Sequence, residues 1–366
     1  SFNIQDLIFN KFDKYAIESF KNNLSLAKIQ AWFFPIILFL IGLSNLIVIF
    51  IGGKEYIDGN IEIGVVAEFI IYVNMLTWPV TLVGWVTSII KQAEASQKRI
   101  NEFLDSNTSL ENGTLKMTKK QAKDIVFKDV SFEYDQTGIK IFNSFNLKIE
   151  EGKTIGIVGK VGSGKTSILD LICRIYDPSS GDIFIGDKNL KSLELNELRK
   201  NISYVTQNNF LFSESIQKNI EFGNPNATKD EVKQAAILAE IDSEILKFKK
   251  GYETILGERG VTLSGGQVQR LSIARSFIKD SEIYLFDDCF SSLDSDTEDR
   301  IIRNLNNNFK DKTLLIVSHR VSCVKNADKI IVLENGKIIQ DGTHTDLINI
   351  KGFYKDLYSK QNTEIN

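Results

Sequence analysis

Apolar and polar positions are divided unevenly along this chain. Residues 31–51 (AWFFPIILFLIGLSNLIVIFI) carry no charge, and about 20 helical residues rise about 30 Å, the thickness of a hydrocarbon core. Residues 63–90 form a second apolar run, with Glu68 as its one charge and Pro79 inside it. Neighbouring helices can satisfy the carbonyl that such a proline frees. Core helices of soluble proteins rarely run this long without charge, so both runs are expected to span a membrane rather than lie buried in a soluble domain. Ahead of the first run, Phe9, Phe12, Tyr15, Ile17 and Phe20 recur at short, helix-like intervals with Lys and Asp between them. They predict an amphipathic extension of the first helix; a surface helix or a loose arm is the alternative.

The pattern changes after residue 105. Residues 105–121 (DSNTSLENGTLKMTKKQ) are polar and read as a linker. Residues 125–132 and 141–149 alternate in part and predict an antiparallel β subdomain. Residues 154–158 (TIGIV) read as a short buried strand, followed by a helix over 167–175. Apolar strands are also expected at 283–286 and 313–318. Strands at 330–334 and 337–340 flank Asn335-Gly336, a strong hairpin signal. The organisation expected is therefore helical and transmembrane over 1–105, a linker over 106–122, and an α/β domain over 123–366 with β and helical subdomains.

Charge orients this arrangement. Lys11, Lys14, Lys21 and Lys28 precede the first span, and Lys91, Lys98 and Arg99 follow the second, whereas the connection between them holds Glu55, Asp58 and Glu62 against Lys54. The positive-inside rule puts both outer flanks, and the α/β domain with them, in the cytoplasm. Trp32, Trp78 and Trp85 suit interfacial anchors, the last two equally packing residues. Glu68 is expected to face a lumen between helices near the outer side, or to snorkel at the lipid edge. A formal net charge of −3 argues against a nucleic-acid partner. Cys173, Cys289 and Cys323 make no C-x-x-C pair, which fits a reducing compartment and neither a disulfide frame nor a zinc site. The chain begins at Ser1 without a secretory signal.

The candidate chemistry lies in the second part. Gly159-Lys160-Val161-Gly162-Ser163-Gly164-Lys165-Thr166 stands between the 154–158 strand and a helix that continues through Ser167. That context suits a phosphate-binding loop: glycines let N–H groups form an anion cradle, the helix N-terminus adds partial positive charge, Lys165 reaches phosphate oxygens and Thr166 offers a hydroxyl to Mg²⁺. Asp287 closes the Ile283-Tyr284-Leu285-Phe286 strand, at the edge where α/β proteins bind ligands. His319 ends the 313–318 strand; His344, in Gly-Thr-His, reads as a structural loop histidine.

Together with Leu263-Ser264-Gly265-Gly266-Gln267, about a hundred residues past the loop, these motifs resemble those of the ATP-binding cassette (ABC) exporters, in order and spacing along almost the whole chain. The resemblance implies ATP and Mg²⁺ as ligands. In that family the second motif closes over ATP held by a second subunit, so Ser264, Gly265, Gly266 and Gln267 are expected to serve a partner's ATP, and the partner is a second half-transporter. Asp287 matches the Walker B aspartate and His319 the switch histidine. Gln207 resembles the glutamine that senses Mg²⁺, and Tyr134 lies where an aromatic ring stacks on adenine, a strand-surface tyrosine being the alternative. Gly257-Glu258-Arg259-Gly260 resembles a loop that touches the cytoplasmic helices, and Ser291-Ser292-Leu293-Asp294 the loop that crosses between two ATP sites. Six spans precede each ATPase domain in exporters; this chain resembles the last two, which implies either a C-terminal piece of a longer subunit or a two-span half subunit. Its place is then a cell membrane of the bacterial inner type, its cargo open among lipids, peptides and hydrophobic drugs.

One position departs from the family. Asp288 stands where a glutamate usually polarises the attacking water. Aspartate is shorter by one methylene, and a general base must come within about 2.6–3.2 Å of its water to contribute its typical 10²–10⁴-fold. Aspartate here is common in one half of heterodimeric exporters, where one ATP site is slow. The expectation is an exporter subunit whose own site turns over slowly while its intact 263–267 motif completes a fast one. The alternatives are a homodimer using Asp288 as base, an ATP-gated membrane regulator or channel, and a soluble cassette ATPase, the last disfavoured by the two apolar spans.

Overall fold

A computed structural model describes residues 5–105, 110–117, 124–135, 137–257 and 263–363. The chain divides into two units, residues 1–107 and 108–366.

The first unit is a helical hairpin of α1 (Gln5–Ile57) and α2 (Ile63–Leu104). At 1.5 Å per residue they are about 80 and 63 Å long, twice what a bilayer core needs, so each runs past its apolar stretch. Pro35 and Pro79 lie inside helices that continue through them. The helices pair antiparallel: a Cβ on Gly52 would come 2.9 Å from Val66, and one on Gly84 would come 3.5 Å from Phe33. Several polar side chains in the apolar stretches turn back to their own helix, whereas the buried Asn45 Oδ1 has no partner among the described residues. Ser44 donates to the Leu40 carbonyl (2.9 Å), Asn74 to Ile70 (2.7 Å) and Thr87 to Val83 (2.7 Å), which satisfies them without water. The most apolar stretches have mean hydropathy 2.7 and 1.6, yet Phe50 is 74% and Trp78 72% exposed. Such a surface calls for lipid or further helices around it, and the two helices are not buried by the rest of this chain. Glu68 lies on the exposed surface of α2.

The second unit contains β1 (Ile125–Tyr134), β2 (Ile139–Ile149), β3 (Thr154–Gly159), α3 (Lys165–Ile172), β4 (Ser180–Ile185), β5 (Lys188–Asn189), α4 (Leu195–Lys200), β6 (Ile202–Val205), α5 (Ile216–Glu221), α6 (Lys229–Leu238), α7 (Asp242–Ile245), α8 (Gly265–Phe277), β7 (Ile283–Asp287), α9 (Ser295–Asn308), β8 (Thr313–Val317), α10 (Val321–Val324), β9 (Lys329–Glu334), β10 (Lys337–Gly342), α11 (His344–Asn349) and α12 (Phe353–Thr363). Strands β2-β1-β4-β5 form an antiparallel sheet. A second sheet runs β10-β9-β3-β8-β7-β6, parallel except at the β10 edge. Every residue of β7 and β8 is buried, which is why both read as unbroken apolar runs instead of alternating ones. Asn335 and Gly336 both take positive φ (48° and 71°), the twist a two-residue hairpin requires. One core packs α3 between the two sheets, and another joins α5, α6, α8 and α9 to the opposite face of the parallel sheet.

Within the stretch read as linker, residues 110–117 lie against this second unit. Leu115 pairs with Leu193 as a parallel bridge, and its N–H donates to the Ser192 carbonyl (2.9 Å). Met117 is buried in the core, and Asn112 Oδ1 accepts the Leu195 N–H (2.9 Å). Arg174, 2% exposed, donates to the Glu111 carbonyl (2.7 Å) and to Asp177 (2.8 Å). Residues 106–109 and 118–122 of that stretch lie outside the described residues, as do Glu258, Arg259 and Gly260 of the loop expected to touch the cytoplasmic helices.

Candidate functional site

The parallel strands deliver the candidate residues to one edge of the sheet. β3 ends at Gly159, where an added Cβ would lie 2.2 Å from the Leu333 carbonyl oxygen of β9, so the loop leaves the sheet through a gap only glycine fits. Gly162 and Gly164 follow with φ of 80° and 100°, in the left-handed region that glycine enters without strain. At Gly164 a Cβ would also meet Ile141 at 2.7 Å. Gly164 is the cap residue of α3 and supplies no side-chain oxygen to the first-turn amides. Those donors are the orphan groups of a helix N-terminus. The buried Ser163 Oγ has no hydrogen-bond partner among the described residues. Orphan amides, an unpartnered hydroxyl and a Cβ-free curve form a cradle that an oxyanion fits.

Lys165 curls over this loop. Its Nζ donates to the carbonyls of Gly159 and Lys160, both at 2.9 Å. Burial lowers its pKa, while Asp287 and Asp288 act in the opposite sense. Asp287, 2% exposed at the end of β7, has its pKa raised by burial; a hydrogen bond with Thr166 and the charge of Lys165 counter that rise. Lys160 and Val161 stand on the outer side of the loop: Lys160 pairs with Glu334, and Val161 is exposed. Ser167, the residue after Thr166, is buried and shares a hydrogen bond with the Tyr134 hydroxyl (3.0 Å).

Asp288 and His319 meet. Asp288 has φ 44°, a conformation in which aspartate is several-fold enriched among non-glycine residues. Its N–H donates to the Val317 carbonyl (2.9 Å), its carbonyl accepts the Ser291 hydroxyl (3.0 Å), and its Oδ1 accepts the His319 N–H (3.4 Å). Burial lowers the pKa of His319, assisted by the charge of Lys165 and opposed by Asp288 and Asp287. Gln207 lies exposed just past β6.

Tyr134 ends β1 beside a cavity of ≈ 630 Å³, to whose lining Phe132, Tyr134, Ile139, Tyr176 and Pro178 contribute. The Tyr134 ring meets Phe132 and Tyr176 edge-on, at 4.9 and 5.3 Å between centroids.

The 263–267 motif opens α8. Ser264 and Gln267 form a reciprocal capping box: Ser264 Oγ accepts the Gln267 N–H (3.3 Å) and Gln267 Oε1 accepts the Ser264 N–H (2.9 Å). Gln267 Nε2 also donates to Glu244 (2.8 Å), whose other oxygen pairs with Arg270 (2.8 Å). Gly265 and Gly266 pass close to Ser292, the latter leaving 3.1 Å between a would-be Cβ and the Ser292 carbonyl oxygen. Among the described residues, none of these hydrogen bonds joins the motif to residues 159–167. The two halves of the candidate site thus stand as separate surfaces of this unit.

His344 is the first residue of α11, not a loop residue; its Nδ1 is bonded to the Tyr354 hydroxyl (2.7 Å), in keeping with a structural role. Sequence reasoning missed Glu244, Arg270 and Arg320, which nothing in their local sequence signals. It also missed the capping box, although Ser-x-x-Gln at 264–267 is the spacing that makes one.

Residues 142–291 match the ABC transporter family and residues 1–80 the ABC transporter transmembrane region. The chain is 37% identical to the multidrug resistance-like ATP-binding protein MdlA of Buchnera aphidicola, over 99% of this chain and 62% of that protein. It is 35% identical to the probable multidrug resistance ABC transporter ATP-binding/permease protein YheI of Bacillus subtilis, over 96% and 60%. Among solved structures, a bacterial Atm1-family ABC exporter with ATP bound matches at TM-score 0.86 and 27% identity, over 98% of this chain and 63% of that one. The chain therefore spans less than two thirds of the length of these relatives. Its fold is a helical transmembrane region followed by an ABC-type NTPase domain.

Proposed function

We propose that this chain is an ATP-hydrolysing subunit of an ABC exporter, paired with a second subunit so that its 264–267 motif completes the partner's ATP site. The observation that carries the reading is the cradle at 162–167, which leaves the first-turn amides of α3 without a side-chain cap and the Ser163 hydroxyl without a partner while setting Lys165 beside Asp287. The self-contained capping of Ser264 and Gln267 supports the division of labour, because this N-terminus is ordered without the chain's own loop. Tyr134 and its cavity suit the base. Thr166, Asp287 and Gln207 provide hydroxyl, carboxylate and amide oxygens, the hard donors that suit Mg²⁺, which would neutralise charge on the phosphates. That cation would also favour the ionised form of Asp287, which burial alone disfavours. Relatives named for multidrug resistance and multidrug export support a drug-type cargo among those left open.

The chain's own site is proposed to be slow. Asp288 holds its backbone in the left-handed region and directs one carboxylate oxygen to the His319 amide, and it lacks the methylene that would carry it further. A second reading, a homodimer using Asp288 as general base, draws on that same bond, which keeps the carboxylate beside His319. ATP hydrolysis by the purified subunit, alone and with candidate partners, separates the two. Strong turnover alone that disappears in Asp288→Asn excludes the slow-site reading.

A further inference from the structure

The segment carrying His319 is held by a residue from the far end of the domain. Gln361 lies half-buried in α12. Its Oε1 accepts the Val321 N–H (2.8 Å), and its Nε2 donates to the His319 carbonyl (2.7 Å). One side chain thus fastens the main chain on both sides of Arg320. Val321 is the first residue of α10, whose cap residue Arg320 supplies no side-chain oxygen. Its amide is an orphan donor of that helix, so Gln361 acts as a remote cap.

Arg320 itself is committed in another direction. Its guanidinium donates to the carbonyls of Ser291 (2.9 Å) and Leu293 (3.0 Å), and to Glu298 (2.9 Å), which is 1% exposed. Glu298 also accepts the Ser322 hydroxyl (2.5 Å). The three residues 319–321 are therefore gripped by the loop after Asp288 through a side chain, and by α12 through the backbone. On the remaining side, the His319 N–H meets Asp288 Oδ1.

We propose that Gln361 is a positioning residue for His319, so that the C-terminal helix α12 forms part of the hydrolytic machinery. The proposal rests on the reading of 159–167, Asp287 and Asp288 as an ATP site. The two hydrogen bonds from Gln361 go to main-chain atoms of residues 319 and 321; it acts by keeping the His319 main chain beside Asp288. Misplacing a catalytic group by about 1 Å costs up to about 10²-fold in rate, and a side chain that loses two hydrogen bonds permits a shift of that kind.

The test is Gln361→Met in the full chain in lipid nanodiscs, a substitution that keeps length and packing and removes both hydrogen bonds. The chain has two histidines, so labelling histidine Cε1 gives two NMR signals, read at one pH far above the usual histidine range. His344 is the internal control, because its ring contacts Tyr354 and Tyr358, both on α12. The expected result is a displaced or broadened His319 signal with His344 unmoved, and Val321 amide exchange about tenfold faster. The single-turnover rate of ATP hydrolysis should fall about tenfold with ATP affinity unchanged. Unchanged His319 and Val321 signals overturn the proposal. Equal displacement of both histidines overturns it too, because Gln361 would then merely seat the helix. If neither wild type nor variant hydrolyses ATP with any partner, the ATPase reading fails, while the two structural signals still decide the role of Gln361.

Discussion

Asp288→Glu tests whether carboxylate reach limits the ATP site proposed for this chain. The added methylene carries the carboxylate roughly 1–1.5 Å further from the main chain, a distance comparable with the window a general base must hit. Two costs oppose the gain. Asp288 has φ 44°, where a longer side chain is less tolerated than aspartate, at roughly 1 kcal/mol. The bond from the His319 N–H, already long at 3.4 Å, is also given up. The anchors on the backbone remain, since the Asp288 N–H to Val317 and the Ser291 hydroxyl to the Asp288 carbonyl involve no side-chain atom of residue 288. Recovering about one to two of the powers of ten that a well-placed base contributes lowers the barrier by about 1.4–2.7 kcal/mol. The variant should therefore be about 10- to 100-fold faster and slightly less stable. Phosphate release at saturating ATP, measured beside thermal unfolding, checks both. A variant that is no faster while its unfolding temperature falls would refute the argument, showing that reach is not what limits this site.

Three further outcomes follow from the geometry. Arg174→Ala strands Asp177 and the Glu111 carbonyl beside a nearly fully buried position; it should cost about 3 kcal/mol or more, lowering the unfolding temperature of the second unit by roughly 6 °C or more, and a loss below about 1 kcal/mol would contradict it. Gly164→Ala forces an alanine to φ 100° and its Cβ to 2.7 Å from Ile141; fluorescent ATP-analogue binding should fall at least about tenfold, and intact affinity would remove the cradle from the argument. Burial and Lys165 lower the folded-state pKa of His319, so between that value and the unfolded value of about 6.5 the unfolded chain binds the proton first. The stability this neutral histidine contributes is intact above a pH of about 6.5 and is lost as pH falls through the folded pKa. The gap in unfolding temperature between wild type and His319→Gln should stay level from about pH 8 to 7 and close below about 6.5; a gap independent of pH refutes the assignment.

Features that depend on near neighbours are legible in the sequence. The 31–51 and 63–90 runs, the 283–287 strand and the Asn335-Gly336 turn each carry their conformation in their own residues, and the structure places them within helices and strands at those positions. The helix after the glycine-rich loop is expected from 167 but begins at Lys165, because glycine at the cap lets it start as soon as the chain turns. The docking of residues 110–117 is not legible. A polar composition reads as a connector, yet Leu115 bridges Leu193 and Met117 is buried, and only the folded partner strand and helix reveal that surface.

The supports of the candidate site are hidden for a different reason. Arg320, Glu298 and Gln361 act through hydrogen bonds to main-chain atoms or to side chains distant in sequence, up to 42 residues away for Gln361 and His319. Such bonds impose no periodicity, and at their own positions these residues look like ordinary solvated charges or amides. Catalytic groups must show themselves, because phosphate chemistry demands glycine, lysine, hydroxyl and carboxylate in a fixed order along one strand–loop–helix. The groups that orient them need only reach, and reach is a property of the fold. That difference makes Gln361 the more discriminating target. Substituting Lys165 would disable almost any phosphate-binding loop, whereas a rate loss at Gln361 that comes with a displaced His319 signal and an unmoved His344 reports coupling of α12 to the His319 segment through that side chain.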